Sequence, residues 1–134
     1  MMYSYAIPIP ANTTEGDPVE QDLTLTHGII THVEVEFPPG CAGLVHLVVT
    51  RYGSQLWPLN PDGDLASDGY VIPWDEEYDL TQAPYTLRAV AWNDDDTFAH
   101  TLTIRITLSP IAGRTALQEM HYILQTFARL VGIK

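Results

Sequence analysis

YTLRAVAWNDDDTFAHTLTIRITL, residues 85–108, is the stretch that decides the fold class. In its second half Leu102, Ile104, Ile106 and Leu108 alternate with Thr101, Thr103, Arg105 and Thr107. That is the period of two expected of a half-buried β-strand. Its first half, Tyr85–Trp92, reads as a second strand, with Trp92 on the same outward register as Thr86 and Arg88. Between them lies Asn93-Asp94-Asp95-Asp96-Thr97, so the sequence predicts a hairpin closed by a five-residue loop. His100 falls on the apolar face of the second strand.

Upstream the same period recurs. Val33, Val35 and Phe37 face one way in Thr31–Phe37, and His32, Glu34 and Glu36 the other, until Pro38-Pro39-Gly40 ends the strand. Leu44–Tyr52 is almost continuously apolar and β-branched, as in a strand covered on both faces. Shorter pieces follow at Leu56–Leu59, Tyr70–Trp74 and Glu77–Leu80, and Leu23 and Leu25 alternate within Asp22–Thr26. The total is about eight short strands with turn signals every eight to twelve residues, the pattern of an antiparallel β-sandwich or jelly roll. Residues 1–22, with Pro8, Pro10 and Pro18, are expected to form an extended arm, and 23–109 the β domain.

After Ser109-Pro110 the period changes. Leu117, Met120, Leu124, Phe127 and Val131 follow helical spacing, with Ala116, Ile123 and Leu130 recurring every seven residues. An amphipathic helix is expected over 110–134. Its apolar stripe is too wide to stand in water, so it packs on its own sandwich, on copies of itself, or on a partner. A sandwich already closes its own core, which favours burial between subunits through Leu117, Met120, Ile123, Leu124, Phe127, Leu130 and Val131.

With 134 residues, one domain is expected, and a net charge of −11 argues against binding nucleic acid or anionic membranes. The charge is uneven: residues 1–113 set 16 carboxylates against Arg51, Arg88 and Arg105, while 114–134 hold Arg114, Arg129 and Lys134 against Glu119. No apolar run is long enough to span a bilayer. MMYSYAIPIPANTT lacks both a basic start and a cleavage pattern, so no secretory signal is expected. The single cysteine, Cys41, excludes an internal disulfide.

Chemistry is thinly marked. Asp62-Gly63-Asp64 with Asp68 fails as an EF-hand, because the twelfth position is Pro73 rather than Glu. Asp94, Asp95 and Asp96 concentrate oxygen ligands, but Asn/Asp loops need no ion, and no metal is expected. His27, His32, His46, His100 and His121 show no local ligand spacing. There is no G-x-S-x-G elbow, P-loop or G-x-G-x-x-G, and Cys41 has no basic neighbour, so neither an enzyme nor a cofactor is expected. Trp57, Trp74 and Trp92, with Tyr52, Tyr70 and Tyr78, are the candidates for an aromatic platform. They carry the second expectation, a carbohydrate-binding sandwich module.

GIITHVEVEFPPGCAGLVHLVV (28–49) and YTLRAVAWNDDDTFAHTLTIRITL (85–108) together resemble small jelly-roll structural proteins of tailed bacteriophages, of the capsid-decoration or spike type. The resemblance is one of pattern over residues 20–108 and implies a non-enzymatic virion component. Such a protein is made in the host cytoplasm and assembled as a homo-oligomer, a trimer by expectation, on a capsid or other virion protein. Ile7 and Ile9 in the arm are then expected to add a strand to a neighbour's sheet edge.

Overall fold

A computed structural model describes residues 1–110, 124–126 and 128. Among them are eight strands: β1 (Met2–Ile9), β2 (Val19–Thr24), β3 (Gly28–Phe37), β4 (Val45–Arg51), β5 (Ser54–Trp57), β6 (Tyr70–Leu80), β7 (Thr86–Asn93) and β8 (His100–Ser109). They form two four-stranded antiparallel sheets, ordered β1-β8-β3-β6 and β2-β7-β4-β5.

The alternation read from the sequence sets which side chains turn inward. Val33, Val35 and Phe37 of β3 and Leu102, Ile104, Ile106 and Leu108 of β8 are fully buried. From the other sheet Leu47, Val49, Leu87, Ala89 and Ala91 join them in one hydrophobic cluster. Small alanines on β7 let the large side chains of the facing sheet approach closely.

Three expectations are corrected. First, β7 and β8 are not a hairpin. β7 pairs with β2 and β4, β8 pairs with β1 and β3, and residues 94–99 carry the chain from one sheet to the other. Alternation reports the inward face of a strand but not the neighbour it pairs with, and two inward-facing strands fit opposite sheets equally well. Second, no free arm exists at the start of the chain. Met2–Ile9 pairs with β8 along its whole length, and Ile7 and Ile9 lie fully inside the protein's own core rather than against a neighbour. β8 would otherwise present an unpaired edge, which β1 covers. The proposed boundary at residue 22 therefore falls inside β2, and the arm belongs to the body. Third, the short pieces at 70–74 and 77–80 are one strand, β6, broken only by a register shift opposite Ile30/His32. Pro73 is tolerated within β6 because that strand is a sheet edge.

Beyond β8, residues 124–126 and 128 are helical, inside the segment where the sequence predicts a helix, and Leu124 is exposed. Leu117, Met120, Ile123, Phe127, Leu130 and Val131 lie outside the described residues. Among the described residues no helix is long and apolar enough to cross a membrane.

Candidate functional site

The outward residues of β2, β7 and β4 sit side by side: Asp22, Arg88 and Thr50 in one row, Glu20, Val90 and Val48 in the next, Trp92 and His46 beyond. This face is a groove of two basins. One, of about 610 Å³, is lined by Glu20, Asp22, Tyr52, Arg88 and neighbouring residues. The other, of about 340 Å³, reaches Glu15, Asp62 and Trp92. The basins meet at Thr50 and Val90, which line both. Arg88 places its Nε 3.2 Å from Asp22 and an Nη 3.7 Å from Glu20, so the one cation in the lining is already matched and the groove stays acidic.

At its mouth stands Tyr52. β4 and β5 are joined by the two-residue turn Tyr52-Gly53, with φ of 54° and 77°. Both residues are left-handed, as a primed hairpin turn requires, and Asn or Gly usually fills such positions. A tyrosine there costs about 1–3 kcal/mol of backbone strain. The residue is nevertheless 64% exposed. Arg51 holds it in place: the guanidinium lies 4.6 Å from the ring centroid, and Nη2 donates to the Tyr52 hydroxyl at 3.0 Å. That hydroxyl also lies 3.4 Å from the Ala83 carbonyl, to which it donates. Arg51 itself is buried between the sheets, donating through Nη1 to the Tyr78 hydroxyl and through Nη2 to the Gln82 carbonyl.

The far end of the groove is built on a histidine. His46 stacks on Trp92, ring centroids 5.1 Å apart, with Nδ1 2.9 Å from Asp64 and Nε2 3.0 Å from Asp94. An imidazolium donates to both carboxylates, whereas a neutral imidazole can donate to only one. The ring thus ties the loop after β5 to the loop after β7. His32 makes a similar bracket on the other sheet, between Asp75 (2.8 Å) and Glu34 (3.2 Å). Those two bonds, Asp75's first, hold its pKa above the ordinary imidazole value.

The three-aspartate loop is occupied by its own architecture. The Asp95 carboxylate accepts from the Thr97 and Phe98 amides and faces His100 Nε2 at 2.9 Å. The bond to His100, followed by the two amides, lowers its pKa. Asp94 faces His46 and Asp96 accepts from the Thr97 hydroxyl, so the three carboxylates point to three different partners. Among the described residues no cluster of His, Cys, Asp or Glu has the makings of a metal site. Cys41 is buried, and burial, with Asp68 and Asp95 adding to it, pushes its thiol pKa up, away from nucleophilic reactivity.

The three tryptophans do not form one surface. Trp57 is 4% and Trp92 7% exposed, so neither offers a ring face to solvent. Trp57 and Trp74 do meet, edge to face at 5.7 Å, and with Pro58, Leu59, Leu65 and Glu76 they line a cleft of about 270 Å³. Trp92 is covered although its register is outward, because the His46 ring lies over it. Tyr52 was among the aromatic candidates; what sequence reasoning passed over is Arg51, which fixes it, and the left-handed turn on which it stands. The only signal was Gly53, placed where a two-residue turn demands a left-handed residue.

No protein-family model and no curated protein matches the chain.

Proposed function

We propose that the protein is a non-enzymatic structural component of an assembly, a capsid decoration, cement or spike protein of a phage particle. Its body in this reading is a jelly-roll sandwich, and it associates into a homo-oligomer through the helix over 110–134. The observation that carries the proposal is the strand order. One sheet runs β1-β8-β3-β6 and the other β2-β7-β4-β5, so the first and last strands lie side by side in the first sheet and the second and seventh in the other. Two Greek keys wound in this way make the jelly roll, an architecture shared by viral capsid and lectin domains. Fold alone does not assign a role. The phage reading rests in addition on the resemblance of 28–49 and 85–108, and the oligomer on the apolar helical pattern of 114–131.

Leu124 tests the association, because it is helical and 59% exposed in the single chain. Light scattering on the full chain is expected to give a multimer mass, and Leu124→Asp a monomer, since a charge on a buried seam is costly. A single mass shared by both proteins overturns association through this helix. Mixing the chain with emptied phage capsids and finding it only in the unbound fraction removes the decoration role.

A further inference from the structure

We propose that the groove across the outer face of the β2-β7-β4-β5 sheet binds a neutral oligosaccharide, with one pyranose ring stacked on Tyr52. The proposal is independent of the assembly reading, since it uses none of the residues assigned there to association.

Tyr52 is the observation that points to a ligand. An aromatic ring is held in water, at a turn position whose backbone suits Asn or Gly, and it is fixed there rather than loose. The Arg51 guanidinium covers the ring at 4.6 Å, and the hydroxyl is tied to Arg51 and to the Ala83 carbonyl. What results is a flat apolar surface whose motion is already restricted, so little conformational entropy remains to be lost on binding. The axial C–H groups of a pyranose make this kind of contact with a tyrosine ring.

Behind the ring the groove supplies the rest of what a sugar needs. Its floor mixes Val90 with the Thr50 hydroxyl, and Glu20 and Asp22 line its side. Carboxylates accept hydrogen bonds and cannot donate them, which suits a ligand rich in hydroxyl donors. Arg88 is engaged by both of these carboxylates and offers no free positive charge. The surplus of negative charge excludes phosphate, sulfate and uronate polymers. Because the two basins run into each other at Thr50 and Val90, the ligand is a short chain rather than a single sugar. A basic peptide would also be drawn by the charge, but it has no need of an exposed tyrosine fixed at the mouth of the groove.

The full chain would be screened on a glycan array and titrated calorimetrically with maltohexaose, cellohexaose and chitohexaose, with octalysine and heparin as comparison ligands. Binding of at least one neutral hexasaccharide is expected, weakened about tenfold or more in Tyr52→Ala, as loss of an aromatic stack implies. Tyr52→Phe should retain it. Tyr52→Gly suits the turn backbone, so its melting temperature should be maintained while the sugar is lost. A blank array with three silent titrations overturns the proposal. So does sugar binding that Tyr52→Gly leaves intact. Octalysine binding that depends on Asp22 and not on Tyr52, with no sugar bound, replaces the saccharide by a basic peptide.

Discussion

Arg51 shows how a single residue can join the parts of this molecule. It extends from β4 toward the interior, reaches β6 through the Tyr78 hydroxyl, the loop after β6 through the Gln82 carbonyl, and the β4–β5 turn through Tyr52. Phenols and a carbonyl, rather than a carboxylate, receive its charge. Arg51→Met keeps the apolar stem but strands those acceptors, and is expected to cost about 1–3 kcal/mol in a denaturant titration. An unchanged midpoint and slope would show that the guanidinium is dispensable. Gly28 is sensitive for a steric reason: a Cβ there would stand 2.8 Å from the Ser109 carbonyl oxygen and 3.0 Å from Leu108 Cγ. The neighbour is the backbone of β8, which cannot swing away. Gly28→Ala should therefore destabilise by about 1–3 kcal/mol, the range for forced overpacking. A melting temperature at or above that of the parent protein would contradict it.

At the scale of elements, the passage from β7 to β8 is the decisive one. Asn93 is fully buried, its Nδ2 3.4 Å from the Ile9 carbonyl and 3.0 Å from that of Phe98, with Oδ1 accepting from the Asp95 amide. The side chain thus joins the end of β1 to both sides of the crossing. Asn93→Ala removes all three bonds at a buried site, and a loss of about 1–3 kcal/mol is expected. Amide exchange in residues 94–99 should accelerate with it. If exchange there is unaffected, the Asn93 side chain is not what holds the corner. The inward faces of β3 and β8 could be read directly from alternation, since each needs only its own residues. The pairing of β8 with β1 could not. It depends on contacts across about a hundred positions, such as Met2 opposite Thr107 and Ile9 opposite His100, for which a local pattern holds no information.

For the whole molecule, charge and pH act together. Hydrogen bonds to Asp75 and then Glu34 raise the folded pKa of His32 above the ordinary 6.5. Its contribution is complete below that value and is lost as pH rises through the folded pKa. Asp95 has the opposite sign: its folded pKa lies below the ordinary 3.8, and its contribution is lost as pH falls through the folded value. The self-repulsion of a chain carrying −11 at neutral pH also relaxes on mild acidification. Thermal melts from pH 3 to 9 should peak in the window of about pH 4–6.5 that these two groups bracket. A melting temperature rising steadily from pH 6 to 9 would refute this. In His32→Gln the fall on the alkaline side should flatten, separating the histidine from the general charge effect.

The sequence by itself determined the β class, the inward faces of the strands, the acidic skin and the change to a helical period after Pro110. Each is a local quantity, a period or a sum, that any short window contains. Tertiary structure alone decided which strands share a sheet, that Ile7 and Ile9 seal the protein's own core, and that Trp92 lies under His46. It alone also decided that Tyr52, and not a tryptophan, stands exposed beside the groove. The physical reason is that apolar burial is non-directional: it tells a side chain to leave water, and only the packing of distant segments tells it where.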